Sequence, residues 1–412
     1  MTSQKLISFF YFPLFMVSIL LAMVAPRTLA FSVPLLGLFS LVLVSISTIG
    51  RDELVRYLVA YQKLAFLLIA FVALAAFSLI WSVSFEVSSE RLMKSLPILG
   101  LGFFSPFAWM HMDKRWLPCV LTCSLSILLM GLFFVGEELL FDMPVYRYMK
   151  GYTPTEWFHP SFLNRQTIFM SLIFFLIYPA IFYVDQVPMK WLFMILLPVV
   201  LGAVLWMTES QGCQLAFLVG VMAFFLFPHR SKVAWLVLKV ILILCVLFAP
   251  WIAFIGFDFF AEHMRDYEWM QNGYAAERLE IWNFISLRVI ENPLYGFGIE
   301  ATRVMDDFET EKLYHPTTTI LHPHNFALQL WIEYGVIGAF LGSVFLWVLF
   351  GFIQQIQVEW LQKSILSFVM AILVIAAIGY GLWQGWWLGL FFMGAGFFCL
   401  VRRLAYMKEE RG

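Results

Sequence analysis

Charged residues are scarce in this chain of 412 residues: Asp, Glu, Lys and Arg make up only 13% of it, about half of their usual share in soluble proteins. Hydrophobic residues make up 62%, which is more apolar surface than a soluble domain of this length can bury. The composition therefore excludes an ordinary soluble domain and predicts that lipid surrounds much of the chain. The net charge of -1 also lacks the positive excess typical of nucleic-acid binding, so we expect no nucleic-acid partner.

Cysteine is rare as well, with five residues that all lie in or beside apolar segments. Cys119 and Cys123 are one helical turn apart, a spacing that a metal pair can have, but no histidine or aspartate accompanies them. We therefore expect cysteines that pack between helices, with neither a disulfide framework nor a zinc site. No metal and no other cofactor is expected.

Ionisable residues are nearly absent from the apolar segments themselves, where Lys239 and Glu333 are exceptions. Ion-coupled transporters usually carry several carboxylates or histidines in the middle of the membrane. Their scarcity argues against a pump or an ion-driven carrier. The polar residues gather instead on the outer side, a distribution that suits an enzyme acting on a lipid headgroup.

What the chain does contain is a series of apolar runs of about 20 residues, the length that a helix needs to cross a bilayer. They predict an all-α, polytopic membrane protein with about twelve transmembrane helices in a single membrane domain, residues 1–412. The first run is interpreted as a span rather than as a cleaved signal peptide. The predicted spans are 6–25, 30–49, 63–82, 95–110, 116–135, 166–184, 190–207, 212–228, 233–256, 325–351, 364–381 and 384–401.

The positive charges of the short loops predict the orientation, because cytoplasmic loops are richer in Lys and Arg. The richer set of loops holds Lys5, Arg51, Arg56, Lys63, Lys114, Arg115, Lys190, Arg230, Lys232, Lys363, Arg402 and Arg403. We therefore expect both termini in the cytoplasm. Two long connections, 136–164 and 257–324, then lie on the outer, periplasmic side.

The longer of these connections, 257–324, contains signals for ordered structure. Arg278, Trp282, Ile285 and Val289 recur at helical spacing and predict a short amphipathic helix. The helix is expected to end at Asn292-Pro293, and a turn is expected at Gly296-Phe297-Gly298. The same connection holds Asp306-Asp307, which we interpret as part of a solvated loop rather than as a metal site.

The segment His322-Pro323-His324-Asn325 stands at the start of the tenth predicted span, and Gly335 and Gly338 follow about three turns deeper. Small residues there allow close helix packing. A histidine at the mouth of a helix can act as a general base, because the pKa of imidazole lies near neutrality. The alternative is a histidine that caps the helix or lies at the membrane interface. Glu333 is expected to hydrogen-bond a neighbouring helix.

These residues fit the pattern H-[NSQ]-x9-G-x2-G, in which His324, Asn325, Gly335 and Gly338 take the defined positions. The pattern resembles the signature of the O-antigen ligase and polymerase superfamily, with Ala339 as a mild departure at the next position. Further segments resemble the family in the expected order, and together they cover about residues 75 to 400. These segments are 78–82, 90–91, 163–165, 208–212, 278–282, 291–298 and 383–387.

The resemblance implies a glycosyltransferase that moves a glycan from an undecaprenyl-diphosphate carrier to an acceptor, at the periplasmic face of the cell inner membrane. In the ligase branch the acceptor is a sugar hydroxyl of lipid A-core. The family needs neither metal nor nucleotide. The resemblance also implies that His324 is the base of an inverting transfer and that arginines hold the donor diphosphate.

The candidates for the diphosphate site are Arg278, Arg165 and Arg91, because a guanidinium group binds phosphate oxygens in pairs. For each of them the alternative is an arginine that extends to the membrane interface. Gln211 stands where many ligases have an arginine, so either fewer cations hold the diphosphate or another arginine compensates. Three further residues complete the expected substrate-binding set: His322, Asn325 and Trp282.

The sequence leaves three other functions open. An O-antigen polymerase would use the same donor with a second lipid-linked glycan as acceptor. A protein O-oligosaccharyltransferase often carries a large extra domain after its last span, whereas this chain ends about ten residues after its last predicted span. A transporter or flippase of the lipid-linked glycan is disfavoured by the apolar membrane interior.

Overall fold

The structure is a computed structural model that describes residues 3–45, 50–153, 159–183, 187–263, 274–305 and 320–409. Regular secondary structure within these ranges is entirely helical, as predicted. The α-helices of the described part are α1 (Ser3–Val24), α2 (Leu29–Ser45), α3 (Gly50–Ala60), α4 (Gln62–Ser78), α5 (Phe85–Gly102), α6 (Phe107–His111), α7 (Leu117–Leu140), α8 (Pro144–Lys150), α9 (Asn164–Ile177), α10 (Ala180–Tyr183), α11 (Lys190–Met207), α12 (Gln211–Leu226), α13 (Lys232–Leu247), α14 (Ala249–His263), α15 (Tyr274–Glu291), α16 (Phe326–Gln354), α17 (Glu359–Ile378) and α18 (Gly385–Glu409).

In these ranges eight helical segments are long and apolar enough to cross a membrane, or ten if each of two bent helix pairs forms one span. The bent pairs are α3 with α4, at 76°, and α13 with α14, at 74°. A polytopic, all-α membrane protein is thereby confirmed. The eight segments are Ile7–Val24, Pro26–Ser45, Lys114–Leu140, Pro160–Phe182, Lys190–Met207, Phe326–Gln354, Glu359–Ile378 and Gly385–Met407.

Two of the about twelve predicted spans, 95–110 and 212–228, have a counterpart neither among these eight segments nor in the two bent pairs. The helix in the first region is α5, which begins at Phe85 because Ser84 caps it. Its first turns are polar, and the apolar run that predicted a span is divided between the end of α5 and the short helix α6. In the second region α12 is apolar but has only 16 residues.

Large apolar side chains project from the outside of the bundle: Phe31, Trp206 and Phe225 are each at least 74% exposed. Hydrocarbon is a favourable surrounding for such side chains, whereas water is not. The central helix is α9, in which every residue from Gln166 to Ile177 is buried. Because α9 runs through the core, its N-terminal residues lie at one end of that core.

Contacts at one end of the bundle join the segments that were predicted to be cytoplasmic. Arg402 donates a hydrogen bond to the Tyr61 hydroxyl at 3.4 Å, and Arg230 pairs with Glu359 at 2.8 Å. Glu359 starts α17 and Arg402 lies near the end of α18, so the loops after α17 and before α18 lie at the opposite end of the bundle. The loop before α16 lies at that opposite end too. The segment 322–325, called the histidine loop below, and the basic loops are thus at opposite ends of the bundle.

The outer connection predicted at 257–324 is more helical than expected at its start, because α14 continues to His263. The predicted amphipathic helix is confirmed as α15, which ends directly before Asn292-Pro293. The predicted turn is confirmed too, since Gly296 and Gly298 both have positive φ. Asp306-Asp307 lies outside the described residues.

The shorter connection, predicted at 136–164, begins with the last turns of α7. Glu138 in α7 is buried and accepts hydrogen bonds from the backbone amides of Val145 and Tyr146 at 2.9 and 2.8 Å. Those amides are the unpaired donors at the N-terminus of α8, so the Glu138 carboxylate caps this helix. The connection is held against the bundle by this contact.

Candidate functional site

Helix α16 is broken at Gly335, which has φ +60° and ψ −150°. Residues with a side chain rarely adopt this conformation. The break frees the carbonyl oxygens of Ile332 and Glu333, which accept hydrogen bonds from the amides of Phe297 and Gly298 at 2.8 and 2.9 Å. Helix α16 is therefore joined by backbone hydrogen bonds to the segment 297–298, which follows α15.

Only glycine fits where these two segments meet. A Cβ on Gly335 would lie 2.4 Å from the carbonyl carbon of Leu294, and a Cβ on Gly296 would lie 2.6 Å from that of Glu333. Gly335 does allow a close approach, but the segment that approaches it is the irregular stretch 293–298 and not another helix.

The histidine loop enters α16 at Asn325. The side-chain oxygen of Asn325 accepts hydrogen bonds from the amides of Ala327 and Leu328 at 2.9 and 3.1 Å, so Asn325 is the N-cap of the helix. The capping role considered for the histidine belongs to Asn325. His324, one residue earlier, has φ +55°, a left-handed conformation that is uncommon for residues other than glycine.

His324 is half-buried, and its Nδ1 lies 2.5 Å from the carbonyl oxygen of Gly379. A carbonyl oxygen can only accept a hydrogen bond, so Nδ1 carries a proton. In the neutral imidazole the other nitrogen, Nε2, is then the basic one. The contact therefore selects the tautomer that a general base needs.

His322 is buried beside His324, with 4.1 Å between the two ring centroids. Burial lowers the pKa of His322 to about 3, and the charges of His324, Arg303 and Arg278 act in the same direction. His322 is therefore neutral at physiological pH. Gly381 packs against it closely, because a Cβ on Gly381 would lie 3.0 Å from the Cβ of His322.

Helix α15 turns one face toward the histidine loop. The indole N–H of Trp282 donates to the Pro323 carbonyl at 2.9 Å, so this side chain supports the loop. Arg278 is one helical turn earlier and on the same face. The positive charge of Arg278 lowers the pKa of His322 and acts against the rise in the pKa of Tyr380.

Arg165 is the second residue of the central helix α9. Its guanidinium carbon lies 5.9 Å from the ring centroids of both Tyr380 and Trp386. Its Nε is buried without a hydrogen-bond partner among the residues that the structure describes. Arg165 and Arg278 both act on Tyr380, whose pKa burial raises to about 12. Arg165 thus lies at the turn that carries Tyr380, and the charge of Arg278 acts on the same side chain.

Gln211 is the first residue of α12 and is exposed. A Cβ on its neighbour Gly212 would lie 3.4 Å from the side chain of Ile378, the last residue of α17. The N-terminus of α12 therefore lies next to the turn that begins at Gly379. Gln211 stands at this N-terminus and brings no charge to it.

Arg91 has a partner inside the protein. Its Nε lies 3.3 Å from a carboxylate oxygen of Glu300, and its Nη1 donates to the Trp383 carbonyl at 3.2 Å. Arg303 pairs with the same buried carboxylate. The charge of Arg91 is thus balanced by Glu300, whereas no carboxylate in the described part of the chain pairs with Arg165.

Sequence reasoning missed the turn 379–384 as part of the site. Tyr380, Trp383 and Trp386 line the region, yet a tryptophan-rich stretch at the end of an apolar run is typical of an interfacial belt. The only signal was the family-like segment 383–387. No local pattern links the turn to His324, which precedes Gly379 by 55 residues.

The site combines two imidazoles and two arginines at one end of a helical membrane bundle. In the described part of the chain, no group of three or more His, Cys, Asp or Glu side chains is placed to hold a metal ion. Basic nitrogen and guanidinium groups suit proton removal and the binding of an anionic, phosphate-bearing substrate. Fold and site together define a polytopic helical membrane protein with a cluster of imidazole and guanidinium groups at one end of its bundle.

Residues 196–343 match the family described as O-antigen ligase. The matched segment runs from α11 into α16 and contains Gln211, Arg278, the histidine loop and Gly335. The resemblance predicted from the sequence is confirmed over this segment.

Proteins from several Rickettsia species align with 124 residues, or 28% of this chain. "Putative polysaccharide ligase RC0486" of Rickettsia conorii is 36% identical over this segment. Proteins named "Putative polysaccharide ligase" in Rickettsia prowazekii and Rickettsia bellii are 32% and 34% identical. The aligned segment spans 29% of the length of each of these relatives.

Proposed function

We propose that the protein is an O-antigen ligase. It transfers O-antigen polysaccharide from an undecaprenyl-diphosphate carrier to a sugar hydroxyl of lipid A-core, at the periplasmic face of the inner membrane. The O-antigen ligase domain and the names of the relatives support a polysaccharide ligase or polymerase. The observation that carries the chemistry is the contact between His324 and the Gly379 carbonyl, which makes Nε2 the basic nitrogen.

His324 acts as the general base. The acceptor hydroxyl oxygen attacks the anomeric carbon while the bond from that carbon to the diphosphate oxygen breaks. The hydroxyl proton goes to Nε2 of His324, and the electron pair of the broken bond stays on the diphosphate. A single displacement of this kind inverts the anomeric centre, and general-base help is worth roughly 10²–10⁴-fold.

Arg165 and Arg278 hold the donor diphosphate beside the turn that carries Tyr380. Negative charge grows on the diphosphate as it leaves, and a guanidinium can neutralise it through paired hydrogen bonds. The N-termini of α9 and α12 open at the same end, and their helix dipoles add to the positive potential there. Because these groups supply the charge, the transfer needs no divalent cation.

The other predicted site residues have supporting roles in this proposal. Trp282 and Asn325 shape the histidine loop through the contacts described above. His322 packs beside the base, and Gln211 lies at the edge of the diphosphate site. Arg91 shapes the turn 379–384 instead of binding the donor.

The basic loops at the opposite end of the bundle support cytoplasmic termini, because cytoplasmic loops are enriched in Lys and Arg. The histidine loop then faces the periplasm. Cysteine labelling from outside the cell tests this orientation. Labelling of a cysteine introduced at Tyr148, which is 88% exposed in α8, supports it, while labelling only of one at Arg230 reverses it.

The lipopolysaccharide of a deletion strain tests the proposed function. Loss of a ligase leaves full-length lipid-linked O-antigen together with bare core, whereas loss of a polymerase gives core that carries one repeat. With purified donor and acceptor, transfer should continue in EDTA. Core with a single repeat would favour the polymerase, and activity restored only by magnesium or manganese would overturn the metal-independent mechanism.

A further inference from the structure

The turn 379–384 determines where the base points. It joins α17 to α18, and its Gly379 carbonyl accepts the Nδ1 hydrogen bond of His324 at 2.5 Å. A displacement of the turn would tilt the imidazole, or would break the hydrogen bond that keeps the proton on Nδ1. What holds the turn therefore matters for the chemistry.

Two buried side chains of α16 hold the turn. Gln329 accepts a hydrogen bond from the Leu382 amide at 2.8 Å, and Glu333 accepts one from the indole N–H of Trp383 at 2.7 Å. Gln329 and Glu333 are each only 1% exposed. Gln329 also donates to Glu333 at 2.8 Å, so the two side chains form one clamp.

Glu333 reaches the outer connection as well. The carboxylate oxygen that accepts from Gln329 also accepts from the Glu300 amide at 3.1 Å, and Glu300 pairs with Arg91. Arg91 in turn donates to the Trp383 carbonyl at 3.2 Å. The clamp thus closes a ring of contacts around Trp383, in which Glu333 takes part only as an acceptor.

We propose that Glu333, acting through Trp383, is a positioning residue for transfer. It locks the turn 379–384 so that the Gly379 carbonyl keeps His324 in the productive orientation and tautomer. This inference rests on the proposed function, because it assigns Glu333 to the same base. Glu333 does not touch the reacting atoms.

Trp383→Phe tests the proposal, because it removes the hydrogen bond to Glu333 and keeps an aromatic ring. The matched control is Trp331→Phe. Trp331 is also buried in this bundle, and its indole N–H donates to the Val246 carbonyl at 2.9 Å, away from the turn. Purified variants are compared for Tm and for the kcat and KM of transfer from lipid-linked O-antigen to lipid A-core.

We expect Trp383→Phe to lower kcat about tenfold or more with little change in either KM, because a displaced catalytic group slows only the chemical step. Trp331→Phe should lower Tm by a similar amount with kcat within about twofold of the wild type. In a background of His324→Ala, the residual rate should fall little further on Trp383→Phe, because the two residues act as one unit.

Glu333→Gln is the second variant, should Trp383→Phe fail to fold. Its amide keeps the shape of the side chain but cannot accept on both sides, so kcat should again fall while both KM values hold. The positioning role would be overturned by equal kcat values for the Trp383 and Trp331 variants, or by a loss of kcat in proportion to the fall in Tm, while His324→Ala stays inactive. A fully active His324→Ala would instead overturn the proposed function itself.

Discussion

Gly335 lies so close to the backbone of Leu294 that a Cβ on Gly335 would come within 2.4 Å of the Leu294 carbonyl carbon. The contact joins a membrane helix to the connection that follows α15. Because Val336 also donates to the Pro293 carbonyl at 2.8 Å, the helix break is bonded on both of its sides. The first half of α16, which carries the histidine loop, is thereby fixed relative to Arg278 on α15.

Gly335→Ala should unfold this junction. Alanine is strained at φ +60° and ψ −150°, and its methyl group would collide with Leu294, so we expect a loss of more than about 2 kcal/mol. The control is Gly351→Ala in the same helix, where a Cβ meets nothing within 4 Å. Thermal unfolding in detergent measures both. Equal Tm values for the two variants would contradict the role given to the break.

His324→Ala should abolish transfer by the roughly 10²–10⁴-fold that a general base supplies, while the protein stays folded and binds donor. His263→Ala is the control, because His263 is exposed at the end of α14 and, among the described residues, contacts only Phe259 and Glu262 of its own helix. Rates with purified substrates and the anomeric configuration of the product are measured. Transfer at the wild-type rate would remove His324 as the base, and a retained configuration would discard the single displacement.

Arg278→Ala should lower transfer about 10²-fold, and Arg278→Lys should recover only part, because lysine keeps the charge but lacks the planar fork. Arg288→Ala, on the same helix, is the control, since Arg288 pairs with Glu291 at 2.9 Å. Rates are compared at equal amounts of folded protein. Near-normal transfer by Arg278→Ala would place Arg278 outside the diphosphate site.

Arg165→Met and Arg91→Met should fail in different ways. The first removes a cation that no carboxylate of the described residues balances, so the KM for donor should rise about tenfold with little change in Tm. The second removes a partner of the buried Glu300 carboxylate, so Tm should fall. Donor titrations and thermal unfolding distinguish them. The reverse pattern would exchange the roles of Arg165 and Arg91.

Acid should destabilise the protein through His322. Its pKa is lowered to about 3 in the folded state, against about 6.5 in the unfolded chain, so between these values only the unfolded chain binds the proton. The stabilisation is complete above about pH 6.5 and is lost as pH falls, by about 2 kcal/mol at pH 5. Tm should therefore fall less steeply from pH 7 to pH 5 in His322→Asn. Parallel curves would show that His322 is not buried as a neutral ring.

Local patterns in the sequence predicted the elements on which the site is built. The periodic residues of α15 and its end before Asn292-Pro293 follow from helical spacing and from proline, both of which act over a few residues. The histidine loop was recognised because its signature is contiguous. The span at 95–110 was misplaced because hydropathy does not register a cap such as Ser84, which starts α5 in polar sequence.

The sequence by itself determined a helical membrane protein and the residue types of the site, because hydropathy, charge and spacing are properties of neighbouring residues. Only the tertiary structure decided which of those residues work together. The Gly379 carbonyl orients His324 from 55 residues away, Glu300 neutralises Arg91, and the guanidinium of Arg165 lies 5.9 Å from the ring centroid of Tyr380. Gly379 and Tyr380 lie in the turn after α17, and Glu300 lies in the segment after α15. Helix packing brings these segments to the site, and it depends on the shapes of whole surfaces rather than on any local motif.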